Sequence, residues 1–248
     1  MTLRIFRNEG GFNSFRADHP LAELDLANPL KWAVWMEDFL AYDIAQTAGN
    51  PWTFTQTNCT DTIVGPAGVV KLTLGGADND LGQLQLTETP WQTNSKRLYM
   101  QVRFNLTLAA GGTVAANELF VGLASEQTGT NFFAADGLSL AMNEAMGWYK
   151  LDADAAMSGI MRQGDAGSTE AALITPVSAT WITAAVYYDG TEAKLYSGTA
   201  ADGSDLKLNA TISTNDTTSV VTPTLYIKAG EAKANVLNCD YIFIAAER

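Results

Sequence analysis

Leu98-Tyr99-Met100-Gln101-Val102-Arg103-Phe104-Asn105-Leu106 puts Leu98, Met100, Val102, Phe104 and Leu106 on one face of a strand. Tyr99, Gln101, Arg103 and Asn105 fall on the other. Side chains alternate across a β-strand, so this period of two predicts a sheet with one buried side and one wet side. The pattern spreads in both directions. Val69-Val70-Lys71-Leu72-Thr73-Leu74 and Leu81-Gly82-Gln83-Leu84-Gln85-Leu86 alternate in the same way. The turn residues Gly75-Gly76-Ala77-Asp78-Asn79-Asp80 between them predict a hairpin. Further strands are expected over 118–124, 137–142, 148–151, 158–162, 180–188, 193–196, 222–228 and 236–245. Turn clusters at 127–131, 165–168, 189–191 and 202–204 separate them. About a dozen strands without a convincing helix past residue 50 imply an all-β domain of two stacked antiparallel sheets, most simply a jelly roll.

Composition agrees. Of 248 residues, 47% are hydrophobic and 17% charged, ample for one sizeable core and incompatible with disorder. The net charge of −12 repels phosphate backbones, which excludes nucleic-acid binding by the main body. No apolar run reaches the ~20 residues that would cross a bilayer as a helix, so no membrane partner is expected. Met1-Thr2-Leu3-Arg4-Ile5-Phe6-Arg7 lacks the apolar stretch of a secretory leader, and the product is expected to stay in the cytosol or assemble there. Cys59 and Cys239 suit that compartment as two buried thiols, and whether they pair is left open.

The first 29 residues read differently, as an N-terminal arm preceding a 30–248 sandwich domain. Three arginines (Arg4, Arg7, Arg16) against Glu9 and Asp18 give the first twenty residues one net positive charge, leaving −13 on the rest. Phe6, Phe12 and Phe15 have no helical or strand period. They predict an extended arm with aromatic anchors, or an extra strand folded back on the sandwich. Trp32, Trp35, Met36, Phe39 and Leu40 have helical spacing after Asn28-Pro29, yet also suit a strand that covers a sheet.

Candidate chemistry is sparse. Glu23-Leu24-Asp25-Leu26 resembles the start of the Glu-x-Asp-x-x-Glu motif of retaining glucanases, whose two carboxyls must stand ~5 Å apart. The third position here is Asn28, which can neither donate nor cycle a proton, so no catalytic site is expected. The sole histidine, His19 beside Pro20, reads as solvated, and no Gly-x-Ser-x-Gly elbow accompanies it. Asp78-Asn79-Asp80 and Asp152-Ala153-Asp154 are clustered oxygen donors, but they are also ordinary turn residues. No metal or other cofactor is expected. For sugar binding, Trp52, Trp91, Trp148, Trp181, Tyr187 and Tyr188 are candidate platforms. Trp148 and Trp181 read as core, and Trp52 and Trp91, each following a proline, as plugs at the sandwich ends.

The stretch 39–86 resembles structural proteins of tailed bacteriophages, marine ones especially. Glu37-Asp38-Phe39, Trp52-Thr53-Phe54-Thr55 and Gly68-Val69-Val70-Lys71-Leu72-Thr73-Leu74 carry the likeness, with the closing strand Val236-Leu237-Asn238-Cys239-Asp240-Tyr241-Ile242-Phe243-Ile244. Phe120-Val121-Gly122-Leu123-Ala124 and Asp136-Gly137-Leu138 fit a concanavalin A-like sheet. The resemblance implies a non-enzymatic virion component, a capsid decoration or cement protein that stabilises the head. It would bind the major capsid protein and copies of itself, with a homotrimer among the arrangements open to it. It would sit on the capsid surface after assembly in the host cytoplasm. Arg4, Phe6, Arg7, Phe12, Phe15 and Arg16 would then make the arm's contacts with neighbouring subunits. The alternative is a carbohydrate- or receptor-binding module of tail-fibre or lectin type, which an exposed aromatic surface would favour.

Overall fold

The structure, a computed structural model, describes residues 19, 21, 24, 30–40, 42, 50–64, 68–86, 91–126, 133–134, 139–140, 144–163, 166–213 and 220–248. The strands in chain order are β1 (Trp32–Glu37), β2 (Trp52–Thr57), β3 (Cys59–Val64), β4 (Val69–Leu74), β5 (Leu81–Leu86) and β6 (Leu98–Thr107). Next come β7 (Asn117–Ala124), β8 (Phe133–Ala134), β9 (Ser139–Leu140), β10 (Glu144–Lys150), β11 (Met157–Gln163) and β12 (Ala166–Ile174). The last are β13 (Ile182–Tyr188), β14 (Glu192–Gly198), β15 (Lys207–Ser213), β16 (Thr222–Ala229) and β17 (Val236–Glu247). No α-helix occurs among the described residues.

Two antiparallel sheets hold almost all of these strands. One runs β15-β14-β13-β6-β17-β4-β3, with β1 also paired to β17; the other runs β12-β11-β10-β7-β16-β5-β2. β8 and β9 form a small ribbon of their own. The alternating stretch from Leu98 to Leu106 is β6, at the centre of the first sheet, with β13 along one side and β17 along the other. Its apolar face meets the second sheet as expected. Met100, Val102 and Phe104 share one buried cluster with Leu237, Ile242 and Ile244 of β17, Val121 and Leu123 of β7, Trp148 of β10 and Leu225 of β16.

β17 shows how the alternation survives a long strand. Leu237 and Cys239 point inward, and so do Ile242 and Ile244, although their spacing breaks the period of two. A register shift against β6 between Cys239 and Tyr241 absorbs the extra residue, Asp240. This is the work of a β-bulge: one residue of one strand goes unpaired and the pattern resets. The strand edge facing β4 before the bulge faces β1 after it.

Several expectations need correction. The turn at 75–80 does not close a hairpin. β4 lies in the first sheet and β5 in the second, so this segment carries the chain from one layer to the other. Period two reports which faces are buried, not which strand is the partner. Of the two readings open for 30–42, helix or covering strand, the strand is the one formed: Trp32–Glu37 pairs with Ile242–Glu247 of β17. The predicted turn at 165–168 lies largely in β12, and β15 was not anticipated.

The far side of β6 is not wet either. Tyr99, Gln101 and Asn105 are buried and Arg103 is partly so. The chain between β14 and β15 folds over this face. Tyr99 Oη donates to Gln101 Oε1 and Gln101 Nε2 donates to Tyr241 Oη, each at 2.5 Å, and Tyr241 Oη donates to the Ala201 carbonyl at 2.7 Å. Leu24, Trp32 and Leu206 complete an apolar layer there with Tyr99, Tyr187 and Tyr196. His19, expected in solvent, is buried. Its Nδ1 accepts the Leu21 N–H at 3.1 Å, which leaves Nε2 to donate to the Gly203 carbonyl at 3.1 Å. His19 and Leu24 thus lie against the sandwich. Arg4, Phe6, Arg7, Phe12, Phe15 and Arg16 lie outside the described residues.

Candidate functional site

Carboxylates come first, because hydrolysis of a glycosidic bond needs two of them about 5–9.5 Å apart. Glu23, Asp25 and Asn28 lie outside the described residues. On the central pair of the second sheet, Glu118 and Glu144 are buried. The register Lys150↔Leu119 and Ala145↔Ala124 puts them at opposite ends of the β7–β10 pair, about 24 Å apart at ~3.4 Å per residue. Glu118 is bound to Lys228 at 3.2 Å, and burial raises its carboxyl above the ordinary range. These two form no dyad.

The oxygen-donor clusters resolve into structural roles. Asn58 Nδ2 donates to both carboxylate oxygens of Asp80 at 3.0 Å, and the Ala77 N–H donates to Oδ2 at 2.7 Å. Asn58 and Asn79 have positive φ (47° and 64°), which Asn tolerates. A Cβ on Gly75 would come within 2.3 Å of the Asn58 amide nitrogen, so glycine is needed for the close approach. Asp80 therefore staples the crossover between sheets. Asp152 and Asp154 favour the charged form of the buried Lys150 ammonium. No group of three His, Cys, Asp or Glu side chains converges as a metal site among the described residues. Cys59 and Cys239 are free buried thiols, and burial pushes Cys59 up to about 12, far from a reactive thiolate.

Aromatic residues divide clearly. Trp148 is fully buried between the sheets, and Tyr187 and Tyr188 are buried as well. Trp52 and Trp91 do plug an end of the sandwich. Trp35 lies 6.3 Å from Trp52 and 5.3 Å from Trp91, ring centre to ring centre, with Phe39 5.6 Å from Trp52. Glu37 ties this group together, accepting from Trp52 Nε1 at 3.1 Å and from the Phe39 N–H at 2.7 Å.

Trp181 behaves differently. It was expected in the core, but it precedes β13 by one residue and is only half-buried. The Arg103 guanidinium lies 4.5 Å from the centre of its ring and is bound to Asp240 at 2.6 Å, at the β17 bulge. The ring lines a surface depression of ≈ 360 Å³ where the ends of β12 and β14 meet the start of β13. That is near the low end of the ~300–1,000 Å³ usual for small-molecule sites. Around it stand Thr175, Val177, Thr180, Ser197 and Thr199. Asp205 fixes one wall, accepting the Thr199 N–H at 2.9 Å, the Thr199 hydroxyl at 2.9 Å and the Ala200 N–H at 3.0 Å. A second depression of ≈ 550 Å³, lined by Gln56, Asn58, Cys59, Thr60, Thr73, Leu74 and Gly75, has no aromatic wall.

No family model matches the chain, and no curated protein matches it by sequence. Solved structures do. Lectin II from Ulex europaeus superposes with a TM-score of 0.58 at 10% identity, over 87% of this chain and 99% of its own. The fold is concanavalin A-like. Peanut lectin gives 0.56 at 11% identity, over 87% of this chain and 97% of its own. The Emp46p carbohydrate recognition domain in its metal-free form gives 0.56 at 13% identity, over 84% and 94%. These neighbours carry lectin and carbohydrate-recognition names, and none of the three carries a virion name.

Proposed function

We propose that this concanavalin A-like chain is a carbohydrate-binding module whose sugar platform is Trp181. The observation that carries the reading is a half-buried indole that lines a concave surface and is backed by a cation. Sugars present C–H faces that pack on aromatic rings and hydroxyls that need partners, and Trp181 stands beside Thr175, Thr180, Ser197 and Thr199. The Arg103–Asp240 pair, with the guanidinium over the ring at 4.5 Å, restricts its motion, which lowers the entropy cost of binding. The lectin neighbours support this reading through fold alone. The capsid role implied by the sequence resemblance gains nothing from those neighbours, and the six arm side chains that would carry it lie outside the described residues.

A panel of immobilised glycans probed with the intact protein and with Trp181→Ala tests the proposal. Retention on at least one glycan and its loss by about tenfold or more in the variant is expected, with the far-ultraviolet spectrum unchanged. No retention at all, or equal retention by both proteins, would refute it.

A further inference from the structure

From the hydrogen bonds around Trp181, we infer that the depression selects uncharged sugars and rejects sulfated or uronic ones; this rests on the reading of Trp181 as a sugar platform. The reason is a count of protons. Thr199 has one hydroxyl hydrogen and one N–H, and both go to the Asp205 carboxylate, which can only accept. The Ala200 N–H goes to the same carboxylate. Ser197 donates its hydroxyl hydrogen to Asn209 Oδ1 at 3.1 Å, while the Asn209 amide donates to the Leu173 carbonyl at 3.3 Å. What Thr199 and Ser197 still offer is oxygen lone pairs.

At Thr199 and Ser197 a ligand must therefore bring the donor. A neutral sugar hydroxyl can donate to Thr199 Oγ1 or Ser197 Oγ while its C–H face packs on Trp181. A carboxylate or sulfate brings acceptors only, and acceptor against acceptor is repulsive. None of the side chains lining the depression is charged. Arg103, 4.5 Å from the ring centre, is not among the lining residues and is paired with Asp240. Thr175 and Thr180, exposed at the rim, keep rotatable hydroxyls and Trp181 keeps its indole N–H, but these neutral donors do not balance an anion's charge. The chain's net charge of −12 adds a repulsive field. Asp205 stays ionised: burial opposes it, but the Thr199 and Ala200 N–H groups hold its carboxyl below the ordinary range. It is a positioning residue, setting which way the Thr199 hydroxyl points.

The test compares matched glycans, each as the neutral form and as its sulfated or uronic counterpart, by calorimetry with the full chain at 20 mM and 150 mM salt. The neutral form is expected to bind at least about tenfold tighter at both salt concentrations, since a contact effect survives screening. Asp205→Ala frees three donors and should narrow that ratio. Thr199→Val, close in shape but without the acceptor, should weaken neutral binding about tenfold in a folded protein. Anionic glycans bound as well as neutral ones, with Trp181→Ala still abolishing both, would overturn the inference and leave the sugar platform standing. Binding of no glycan, or binding indifferent to Trp181→Ala, would remove the platform itself and the inference with it. If Asp205→Ala fails to fold, the intact protein's ratio and Thr199→Val decide.

Discussion

Replacing Lys150 by methionine should change how stability responds to pH more tellingly than it changes stability itself. Lys150 ends β10, and its ammonium is wholly buried. It donates to the carbonyls of Ala115 at 2.9 Å, Asn117 at 2.5 Å and Leu151 at 2.9 Å, pinning the chain that leads into β7. Three carbonyls call for three N–H groups, which only the charged form supplies. Burial works the other way and pushes the lysine down to about 8 from its ordinary 10.5, against the pull of Asp152, Asp154 and Glu118. A displacement of about 2.5 pH units is equivalent to ~3.4 kcal/mol of stability withheld at neutral pH. Its sign follows from proton counting. Between about 8 and 10.5 the unfolded chain holds the lysine proton more tightly than the native one, so stability rises with pH across that window.

Methionine fills similar volume without charge, so the variant has no such term. It leaves three carbonyls without their donor, each worth ~1–3 kcal/mol, and it relieves the ~3.4 kcal/mol burial cost. The net change at pH 7 then lies between about zero and a loss of ~6 kcal/mol. From pH 7 to 9.5 the original protein should gain ~2 kcal/mol relative to the variant. Cys59, Cys239, Tyr99, Tyr226 and Tyr241 act oppositely. Burial raises all five, so the unfolded chain ionises first and stability falls as pH rises. Both proteins carry these groups, so the difference between them isolates Lys150. Urea titrations followed by tryptophan fluorescence at pH 7 and 9.5 measure it. A gap that stays constant within ~0.5 kcal/mol would show that the three carbonyls fully offset the burial cost, and the reasoning would fail.

Other substitutions test the frame around the site. Trp148→Ala should cost ~3–5 kcal/mol by opening a cavity between the sheets, whereas Trp148→Phe should cost under ~1.5 kcal/mol because its buried Nε1 has no partner; thermal unfolding distinguishes them. Asp80→Ala should cost ~2–3 kcal/mol by orphaning the Asn58 amide and the Ala77 N–H, and millimolar calcium should leave the melting midpoint of the intact protein unchanged. A clear calcium-induced rise would mean that the 77–80 turn binds the ion after all. Glu247 binds Arg97 through both oxygens at 2.9 and 3.1 Å, and chiefly that side-chain bond lowers its carboxyl to about 2. Its contribution is present above ~4.5 and lost as pH falls through about 2, so Glu247→Gln should cost ~1 kcal/mol at pH 7 and converge with the original protein in acid.

Much of the layered fold was legible because burial imposes a period on any sequence. β6, β7, β13 and β16 carry apolar residues at every second position, β17 does so on either side of its bulge, and all five stand inside their sheets. β12 and β15 were not legible because both are edge strands. Lys207-Leu208-Asn209-Ala210-Thr211-Ile212-Ser213 has one clearly buried side chain, Ile212, and an edge needs no more. Sheet membership was hidden too. The turn that crosses between layers uses the same Gly, Asp and Asn residues as a hairpin, and only the Asp80–Asn58 contact, 22 residues apart, reveals the difference. The covered outer face of β6 depends on Ala201 and Gly203, about a hundred residues away in sequence.

The candidate site was the least legible part, and the reason is geometric. Trp181 beside Ile182 reads as the start of an inward run. Yet the preceding Thr175-Pro176-Val177-Ser178-Ala179-Thr180 is turn chemistry, with Ala179 at φ 59° and its N–H donating to the Leu106 carbonyl. That turn leaves the ring at the mouth of the strand rather than inside it, and Val177 stays 60% exposed beside it. The middle of both outer faces is occupied by packed side chains: Tyr99, Tyr187 and Tyr196 on one sheet, Phe120, Phe133 and Tyr226 on the other. Exposed concave surface with an aromatic wall is therefore found where strand ends from both sheets meet, at Leu173, Ile182 and Ser197. A site there can change through loop residues such as Thr199 without disturbing the core. A substitution at Trp181 should accordingly alter recognition far more than folding, unlike the same substitution at Trp148.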